Sequence, residues 1–357
     1  MKKLILISWL AAVLSSCSLS ECEGGASCPG SATEGARATS GSQSFSLVNW
    51  NVQTFFDGVT EGTEYTDFKS AAKWSNSKYY TRLQRLCEVI AALNADIYVF
   101  EEIENEGVLN DIANQFAGNS WDQSKNWTFC CFAKAKNSSI GCAVLSKHPL
   151  FGLKTHSLDI RTQKDSQPSM RPLLEVSASV NGREVRLLVN HWKSKSGGEE
   201  ESSIWRDWQE ALLAQRLTKL AEEGSAPCII CGDFNQDAKE FCLTGGGAAG
   251  AGGGTYNSGG GTYGGNVMLR GEGGIKVHSP WFTESGSFSS ETGSYYYKGN
   301  WERIDHIFSY GKVRISGFSP RASAPWANED KTPNAYKIYS GSGYSDHLPI
   351  MANIVLE

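Results

Sequence analysis

The body of the chain alternates short apolar runs, typical of β-strands, with two stretches of helical periodicity. In the first stretch, Leu83, Leu86 and Ile90 recur at the spacing of one helix face, and in the second, tryptophans and leucines recur between Trp205 and Leu220. Each apolar row covers one face only. The pattern therefore predicts two helices that lie on a β-sheet.

Two β-rich runs between Arg171 and His191 are separated by the dipeptide Asn181-Gly182. Asparagine and glycine adopt the left-handed backbone of a two-residue turn more readily than other residues, so this dipeptide is a strong hairpin signal. We therefore expect the two runs to pair as antiparallel strands.

Polar side chains follow several apolar runs at the point where each predicted strand ends. Buried carboxylates and imidazoles without partners cost free energy, so a group of them indicates a functional site rather than packing. Oxygen ligands suit Mg²⁺ or Mn²⁺, with Ca²⁺ also compatible, better than Zn²⁺. The residues in these positions are Asn51 after Ser46–Trp50, Glu101 and Glu102 after Ile97–Phe100, His191 after Leu187–Asn190, and Asp233 and Asn235 after Cys228–Cys231.

Further candidates lie towards the C-terminal end. Asp346 and His347 precede the apolar run Leu348–Val355, as expected if that run is an antiparallel strand that starts at the same edge of the sheet. Asp305 is a suitable hydrogen-bond partner for a histidine. We expect these three residues to join the same site.

The composition is that of a globular protein, with 357 residues of which 40% are hydrophobic and 20% charged. The formal net charge of −5 does not indicate a broadly basic surface, so a nucleic-acid partner would need a local basic patch. Residues 245–274 are dominated by glycine and predict a long surface loop inserted in one domain. Tyr256 and Tyr263 in this loop could stack on bases, or the loop could be an insertion without a role.

The first 16 residues combine two lysines with a short apolar run and predict a signal peptide. Leu14-Ser15-Ser16-Cys17 resembles a bacterial lipobox, which implies acylation of Cys17 and an exported, membrane-anchored lipoprotein of the cell envelope. The alternative is an ordinary cleavage site beside a cysteine. Residues 17–44 have the composition of a flexible linker, and residues 45–357 form the predicted domain.

The chain contains ten cysteines, and their pairing cannot be deduced from sequence. Cys228 and Cys231 have a spacing found in metal and redox sites. They lie in a β-like apolar run without further ligands nearby, so packing as small apolar side chains is favoured.

Six short motifs stand in order along residues 45–357: Asn49-Trp50-Asn51, Glu101-Glu102-Ile103-Glu104-Asn105, Asn190-His191-Trp192-Lys193-Ser194, Gly232-Asp233-Phe234-Asn235, Arg303-Ile304-Asp305 and Ser345-Asp346-His347-Leu348-Pro349. Together they resemble the endonuclease/exonuclease/phosphatase superfamily, which includes pancreatic deoxyribonuclease, bacterial extracellular nucleases and neutral sphingomyelinases. The resemblance implies an α/β fold of two packed sheets (DNase I-like) with helices on the outer faces and the site at one rim. One departure is Glu101, where the family commonly has glutamine.

The resemblance also implies a metal site and a place for the attacking water. Glu102 would be the main ligand of Mg²⁺ or Mn²⁺, aided by Asn51 and Asp346. Asp233 and Asn235 would orient the water and a phosphate oxygen.

Two histidines would flank the phosphate according to the same resemblance. His347, held by Asp305, would contact the phosphate or activate water, and His191 would assist from the opposite side. Arg171 occupies the place of a phosphate-contacting arginine in nucleases of this family.

The segment around His191 is similar to bacterial extracellular nucleases, with Lys193 and Lys195 adding positive charge and Trp192 able to shape the cleft. We therefore predict an exported, metal-dependent phosphodiesterase that cleaves DNA or RNA as an endonuclease, by in-line attack of water. We expect a monomer without an obligate protein partner. The alternatives are a neutral sphingomyelinase or related phospholipid phosphodiesterase, and a surface binding protein that has lost catalysis. The sequence shows no obvious aromatic hairpin that would favour membrane insertion.

Overall fold

The apolar runs fold into two β-sheets in this computed structural model, which describes residues 43–71, 73–118, 126–136, 138–160, 167–224, 226–243, 265–271 and 274–357. The predicted signal peptide, Cys17 and the linker up to residue 42 lie outside these ranges. Tyr256 and Tyr263 lie outside them as well.

The first sheet contains β1 (Ser44–Phe55), β2 (Ile97–Ile103), β3 (Phe129–Ala133), β4 (Gly141–Ser146), β15 (Val313–Pro320) and β16 (Ile350–Leu356), in the spatial order β15-β16-β1-β2-β4-β3. β1 pairs in parallel with β2 and antiparallel with β16. The carboxyl ends of β1 and β2 and the start of β16 therefore meet at one edge.

The second sheet contains β5 (Leu150–His156), β6 (Leu173–Val180), β7 (Arg183–His191), β8 (Cys228–Asp233), β9 (Cys242–Leu243), β10 (Asn266–Leu269), β11 (Ile275–His278) and β14 (Asp305–Tyr310), in the order β5-β6-β7-β8-β14-β11-β10-β9. β7 and β8 are parallel, and β14 runs antiparallel to β8. Asp233 is consequently in register with His191 on one side and with Asp305 on the other. A separate hairpin is formed by β12 (Tyr295–Tyr297) and β13 (Asn300–Glu302).

The helices α1 (Asn76–Leu93), α2 (Glu106–Gly118) and α3 (Glu199–Glu222) cover the outer faces. Alternate side chains of the first sheet enter different clusters because successive residues of a strand face opposite sides. Leu47 and Val99 pack towards the second sheet, whereas Val48 and Tyr98 pack against α1 and α2. The predicted two-sheet α/β sandwich with outer helices is confirmed.

The predicted hairpin and both predicted helices are present. β6 and β7 pair antiparallel up to Val180 opposite Arg183. Asn181 and Gly182 have φ angles of 50° and 82°, the left-handed backbone that a two-residue hairpin turn requires. The predicted helical rows lie on α1 and α3.

The glycine-rich loop was predicted with too wide a range. Asn266–Leu269 forms β10, which pairs with β11 on one side and β9 on the other. The valine and leucine of this short run alternate into the core, a signal that the surrounding glycines hid. Residues 245–264 and 272–273 of the predicted loop lie outside the described ranges. The sequence interpretation also missed α2.

Cys228 and Cys231, the two cysteines with the spacing of a metal or redox site, are reduced and buried. Cys228 and Cys231 lie in β8 and pack in the core between the sheets, as predicted. Burial raises the pKa of the Cys228 thiol to about 12, so it stays uncharged and unreactive. Among the described helices, none has the length and apolar character needed to cross a membrane.

Candidate active site

The polar residues at the strand ends meet at one rim of the sandwich, between the two sheets. The Asn51 amide donates to Asp233 Oδ2 at 2.9 Å and lies 3.3 Å from Glu102 Oε1. His191 Nε2 lies 3.6 Å from Asp233 Oδ2 and 3.8 Å from Glu102 Oε1. Residues from both sheets therefore surround one small polar space, as the strand-end pattern indicates.

Backbone strain is concentrated at this rim. Gln53, Thr54, Glu102 and Asn235 have φ angles of 54°, 49°, 66° and 48°. This left-handed region costs a residue with a side chain about 1–3 kcal/mol, and such residues persist where surrounding contacts hold them, commonly at functional sites. The cluster of four strained residues is independent support for a site here.

Arg82 of α1 holds the strained segment after β1. Its guanidinium is buried and donates to the carbonyls of Val52 at 2.8 Å and Thr54 at 2.9 Å. The ring of Tyr336 lies 3.7 Å from its central carbon, which adds a cation–π contact. Arg82 also donates to the carbonyl of Gln53, which shares a peptide plane with the Thr54 amide, and that amide donates to Glu102 Oε2 at 2.6 Å. Arg82 therefore orients the Glu102 carboxylate through the backbone.

A carboxylate and an imidazole form a buried pair on the opposite side of the site. His347 Nδ1 and Asp305 Oδ2 are 2.8 Å apart. Burial alone would lower the pKa of His347, but the adjacent Asp305 carboxylate raises it well above its ordinary value. His347 is thus held protonated at neutral pH. This is the partnership that the sequence predicted.

The second histidine has the opposite charge state. Burial lowers the pKa of His191 well below its ordinary value, and the positive charges of Arg171 and His347 lower it further. Burial, with Asp305 nearby, raises the pKa of Asp233 to about 7. A protonated imidazole, a neutral imidazole and a carboxyl group that titrates near neutrality are the combination that acid–base chemistry requires.

Asp233 is fixed in orientation through both carboxylate oxygens. Oδ1 accepts the backbone amide of Asn235 at 2.8 Å, and Oδ2 accepts the Asn51 amide. The Asn235 side chain donates to the Trp192 carbonyl at 3.2 Å. Asn235 therefore lies beside Asp233, where the sequence places it.

The surroundings of Glu101 explain how a glutamate can occupy a position where the family commonly has glutamine. Its side chain is fully buried and accepts from Asn49 Nδ2 at 3.3 Å. Burial, followed by the charges of Asp305 and Asp233, raises its pKa well above its ordinary value. The raised pKa favours the protonated form of Glu101, which is uncharged and, like glutamine, has both a hydrogen-bond donor and an acceptor.

Two groups of residues could hold a divalent cation. Asp233, Asp305 and His347 have ligand atoms within 4.8 Å of one another, but His347 is already paired with Asp305 as a protonated imidazole. In the predicted group, Glu102 and Asp346 offer carboxylate oxygens, which Mg²⁺ prefers. Asn51 turns its NH₂ group towards Glu102 and Asp233, while its Oδ1 accepts the Gln53 amide at 2.9 Å, so this side chain would have to turn over to serve as a ligand. Burial raises the pKa of Asp346, and the Glu102 charge raises it further. This excess of negative charge fits a cation beside Glu102.

The predicted basic residues lie at the edge of the site with one residue that the sequence did not indicate. Arg171 donates to the Trp192 carbonyl at 3.3 Å and bonds the Tyr65 hydroxyl. Tyr65 is 44% exposed and close enough to Glu102 for that charge to raise its pKa, after the larger effect of burial. Burial and the charges of Arg171 and Arg206 lower the pKa of Lys193, so the three cations share one positive region.

Two predictions for this segment are wrong. The Trp192 side chain is only 2% exposed and packs on Phe234, because it points away from the rim that its neighbour His191 faces. Only its backbone carbonyl serves the site. Lys195 does not offer free positive charge to a polyanion, since its ammonium is 2.7 Å from Glu240 and 3.3 Å from Glu199.

Several site residues had no sequence signal, or one that was overlooked. Tyr65 and Arg82 lie in no motif and reach the site through tertiary contacts. Tyr296 and Tyr297, in contrast, belong to an exposed aromatic hairpin that the run of three tyrosines before Lys298 could have indicated.

Curated proteins with a similar amino-acid sequence include Nocturnins of several species. Nocturnin of Xenopus laevis is 26% identical over 211 residues, which are 57% of this chain and 52% of that protein. Human Nocturnin is 27% identical over 199 residues, 54% of this chain and 43% of that protein. The chain thus spans about half the length of the curated relatives it matches.

Solved structures share the fold at low sequence identity. Truncated TDP2 of Caenorhabditis elegans superposes with a TM-score of 0.51 at 15% identity, covering 87% of this chain and 97% of that one. The catalytic domain of human Nocturnin with bound sulfate has a TM-score of 0.50 at 15% identity, covering 88% and 96%. The family model described as Endonuclease/Exonuclease/phosphatase family matches residues 46–318, well over half of the sequence. The chain belongs to the endonuclease/exonuclease/phosphatase family.

Proposed function

We propose that this chain is a divalent-metal-dependent phosphodiesterase that hydrolyses nucleic acid. The observation that carries the proposal is the rim itself. There, neutral His191 faces the carboxylates of Glu102 and Asp233 at 3.8 and 3.6 Å, while His347 is held protonated by Asp305. A phosphodiester needs positive charge on its non-bridging oxygens and a base for the attacking water, and this arrangement supplies both.

Glu102, Asn51 and Asp346 would hold the cation, Mg²⁺ or Mn²⁺. When bound, the cation supplies positive charge beside the phosphate oxygens. Arg82 keeps the Glu102 carboxylate in place through the Gln53–Thr54 peptide, so Glu102 is oriented before any cation arrives.

The side chains of the rim handle the protons. Asp233, with a pKa of about 7, can accept a proton from the water that attacks phosphorus, and its orientation is fixed through both oxygens. Protonated His347 neutralises charge on a phosphoryl oxygen. Neutral His191 can donate a hydrogen bond to the phosphate from the other side.

The positively charged residues at the edge of the site favour nucleic acid as the substrate. Arg171 lies close to His191, and Lys193 lies close to Arg171, on a chain with a net charge of −5. Localised positive charge of this kind suits the phosphates that flank a scissile bond. Arg171 is the residue that we assign to the phosphate.

We also propose a location and an assembly state for the protein. The first 16 residues and Cys17 support export and lipid anchoring at a bacterial cell envelope, with the linker separating the domain from the membrane. We place the enzyme there as a monomer.

The test offers the purified full-length protein supercoiled plasmid, RNA and sphingomyelin, each with Mg²⁺ or Mn²⁺ and with a chelator. We expect nicking that the chelator and His191→Ala abolish and that the remote substitution His148→Ala leaves unchanged. Phosphocholine release with intact plasmid would establish a phospholipid substrate instead. Inactivity on every substrate would favour a binding protein.

A further inference from the structure

The hairpin β12–β13 stands apart from both large sheets and is attached directly to the site. Leu348 donates its backbone amide to the Ser294 carbonyl at 2.7 Å, and Tyr295 forms a β-bridge with His347. Lys298 and Gly299 form the turn with φ angles of 47° and 85°, the left-handed pair that a tight hairpin needs. The hairpin therefore projects from the segment just before β16 that carries His347.

One face of this hairpin carries a row of rings that starts at the site. Because strand residues alternate, Tyr295 and Tyr297 share a face. The Tyr295 ring centre is 4.7 Å from that of His347, and Tyr297 stacks beside Tyr295 at 6.1 Å with an interplanar angle of 18°. Tyr296 points the other way and packs against Trp301. The row thus runs outward from His347 towards solvent.

The outer end of the row is accessible and carries a cation. The Tyr297 side chain is 48% exposed, and Lys298 Nζ lies 5.0 Å from its ring centre. Aromatic faces combined with a nearby cation are the elements with which proteins bind single-stranded nucleic acid, because the bases stack and the phosphates are neutralised. Each stacked base contributes about 1–3 kcal/mol.

We propose that Tyr295 and Tyr297 form a stacking platform for the bases of single-stranded nucleic acid next to the scissile phosphate. This inference rests on the proposed function and specifies its substrate. A duplex hides its base faces in the stack, so only an unpaired strand can present one to Tyr297. The platform is sequence-tolerant because every base has such a face.

A membrane is the less suitable occupant of this hairpin. Its tip is Lys298-Gly299-Asn300, which is exposed and polar. The rings lie along the side of the hairpin and lead to His347 rather than projecting from the tip. Insertion into a bilayer would require the aromatic residues at the tip.

The experiment compares two single-stranded oligonucleotides, one with all bases and one with abasic positions around the cleaved bond. For the full-length protein, we expect Tyr297→Ala to lower kcat/KM on the complete strand by about 5- to 150-fold, relative to its effect on the abasic strand. Tyr297→Phe retains a ring and is expected to retain the preference. Tyr80→Ala removes an equally exposed tyrosine from α1, 53% exposed, and serves as the control.

Binding of a fluorescein-labelled single strand, measured by anisotropy with chelator present, separates this inference from the proposed function. Weaker binding by Tyr297→Ala supports the platform whether or not the protein cleaves the strand. A lack of cleavage would overturn only the proposed nuclease activity. Equal losses on both strands, or no loss of binding, would overturn the platform. A Tyr297-dependent affinity for sphingomyelin vesicles, with oligonucleotide binding unchanged, would assign the hairpin to a membrane.

Discussion

Replacing Glu175 with glutamine should destabilise the fold in a way that depends on pH. Glu175 lies in β6 with a side chain only 3% exposed, and it joins three elements. Arg216 of α3 donates to its two oxygens at 2.6 and 2.8 Å, and His156 of β5 lies 2.7 Å away. Arg186 of β7 completes the network at 3.2 Å. The carboxylate therefore fastens α3 to the second sheet.

The size of the effect follows from the pKa of Glu175. Burial alone would raise it, but the hydrogen bonds and charge of Arg216 and His156 lower it from 4.5 to about 2. That fall corresponds to about 3 kcal/mol of stability at neutral pH, at about 1.4 kcal/mol for each pH unit. Because the folded pKa is the lower one, this stability is present above about pH 4.5 and disappears as the pH falls towards 2.

Urea denaturation followed by tryptophan fluorescence measures this directly at pH 7, 5 and 3.5. We expect Glu175→Gln to lose about 3 kcal/mol at pH 7 and to show a shallower decline of stability between pH 5 and 3.5 than the unmodified protein. Glu184→Gln removes a more exposed partner of Arg186 and should cost less than about 1 kcal/mol. A Glu175→Gln protein as stable as its parent at pH 7, or with the same pH dependence, would refute the reasoning.

Three further predictions concern the site. Glu102→Gln should raise the Mg²⁺ concentration for half-maximal cleavage and lower kcat, as a metal titration would show; an unchanged titration would remove Glu102 from the ligand set. Asp305→Asn should lower kcat by about 10²–10⁴-fold with little effect on KM, because it removes the partner that keeps His347 protonated; near-normal kcat would contradict that role. In Arg82→Lys the shorter fork-less side chain cannot donate to several carbonyls at once. We therefore expect kcat/KM to fall by about tenfold or more beyond any loss of thermal stability. Arg85→Lys, on the same helix, should leave kcat/KM unchanged.

The rim was predictable because its information is local. Asn51, His191 and Asp233 each follow an apolar run directly, and the ends of neighbouring parallel strands necessarily share an edge. The Asn181-Gly182 hairpin was predictable for a similar reason, since the dipeptide alone sets the turn. In these places the local backbone geometry determines the structure, and tertiary contacts change it little.

Other residues depend on contacts that no local pattern carries. Arg82 acts on carbonyls about 30 positions earlier in the chain and against the ring of Tyr336, so its role appears only once α1 is docked. Tyr65 reaches Arg171 from a loop without periodicity. The error over Trp192 was avoidable, because strand alternation places it opposite His191.

The pairing of β1 with β16 also determines when the candidate site is complete. Trp50 donates its indole N–H to the His347 carbonyl at 2.9 Å, a contact between residues 297 positions apart. Because His347 follows Asn51, Glu102 and Asp305 along the chain, a nascent chain acquires it after these residues, and long-range strand pairing of this kind is slow. Under the proposed function, this order of assembly would keep the growing polypeptide inactive until the last of these residues is in place.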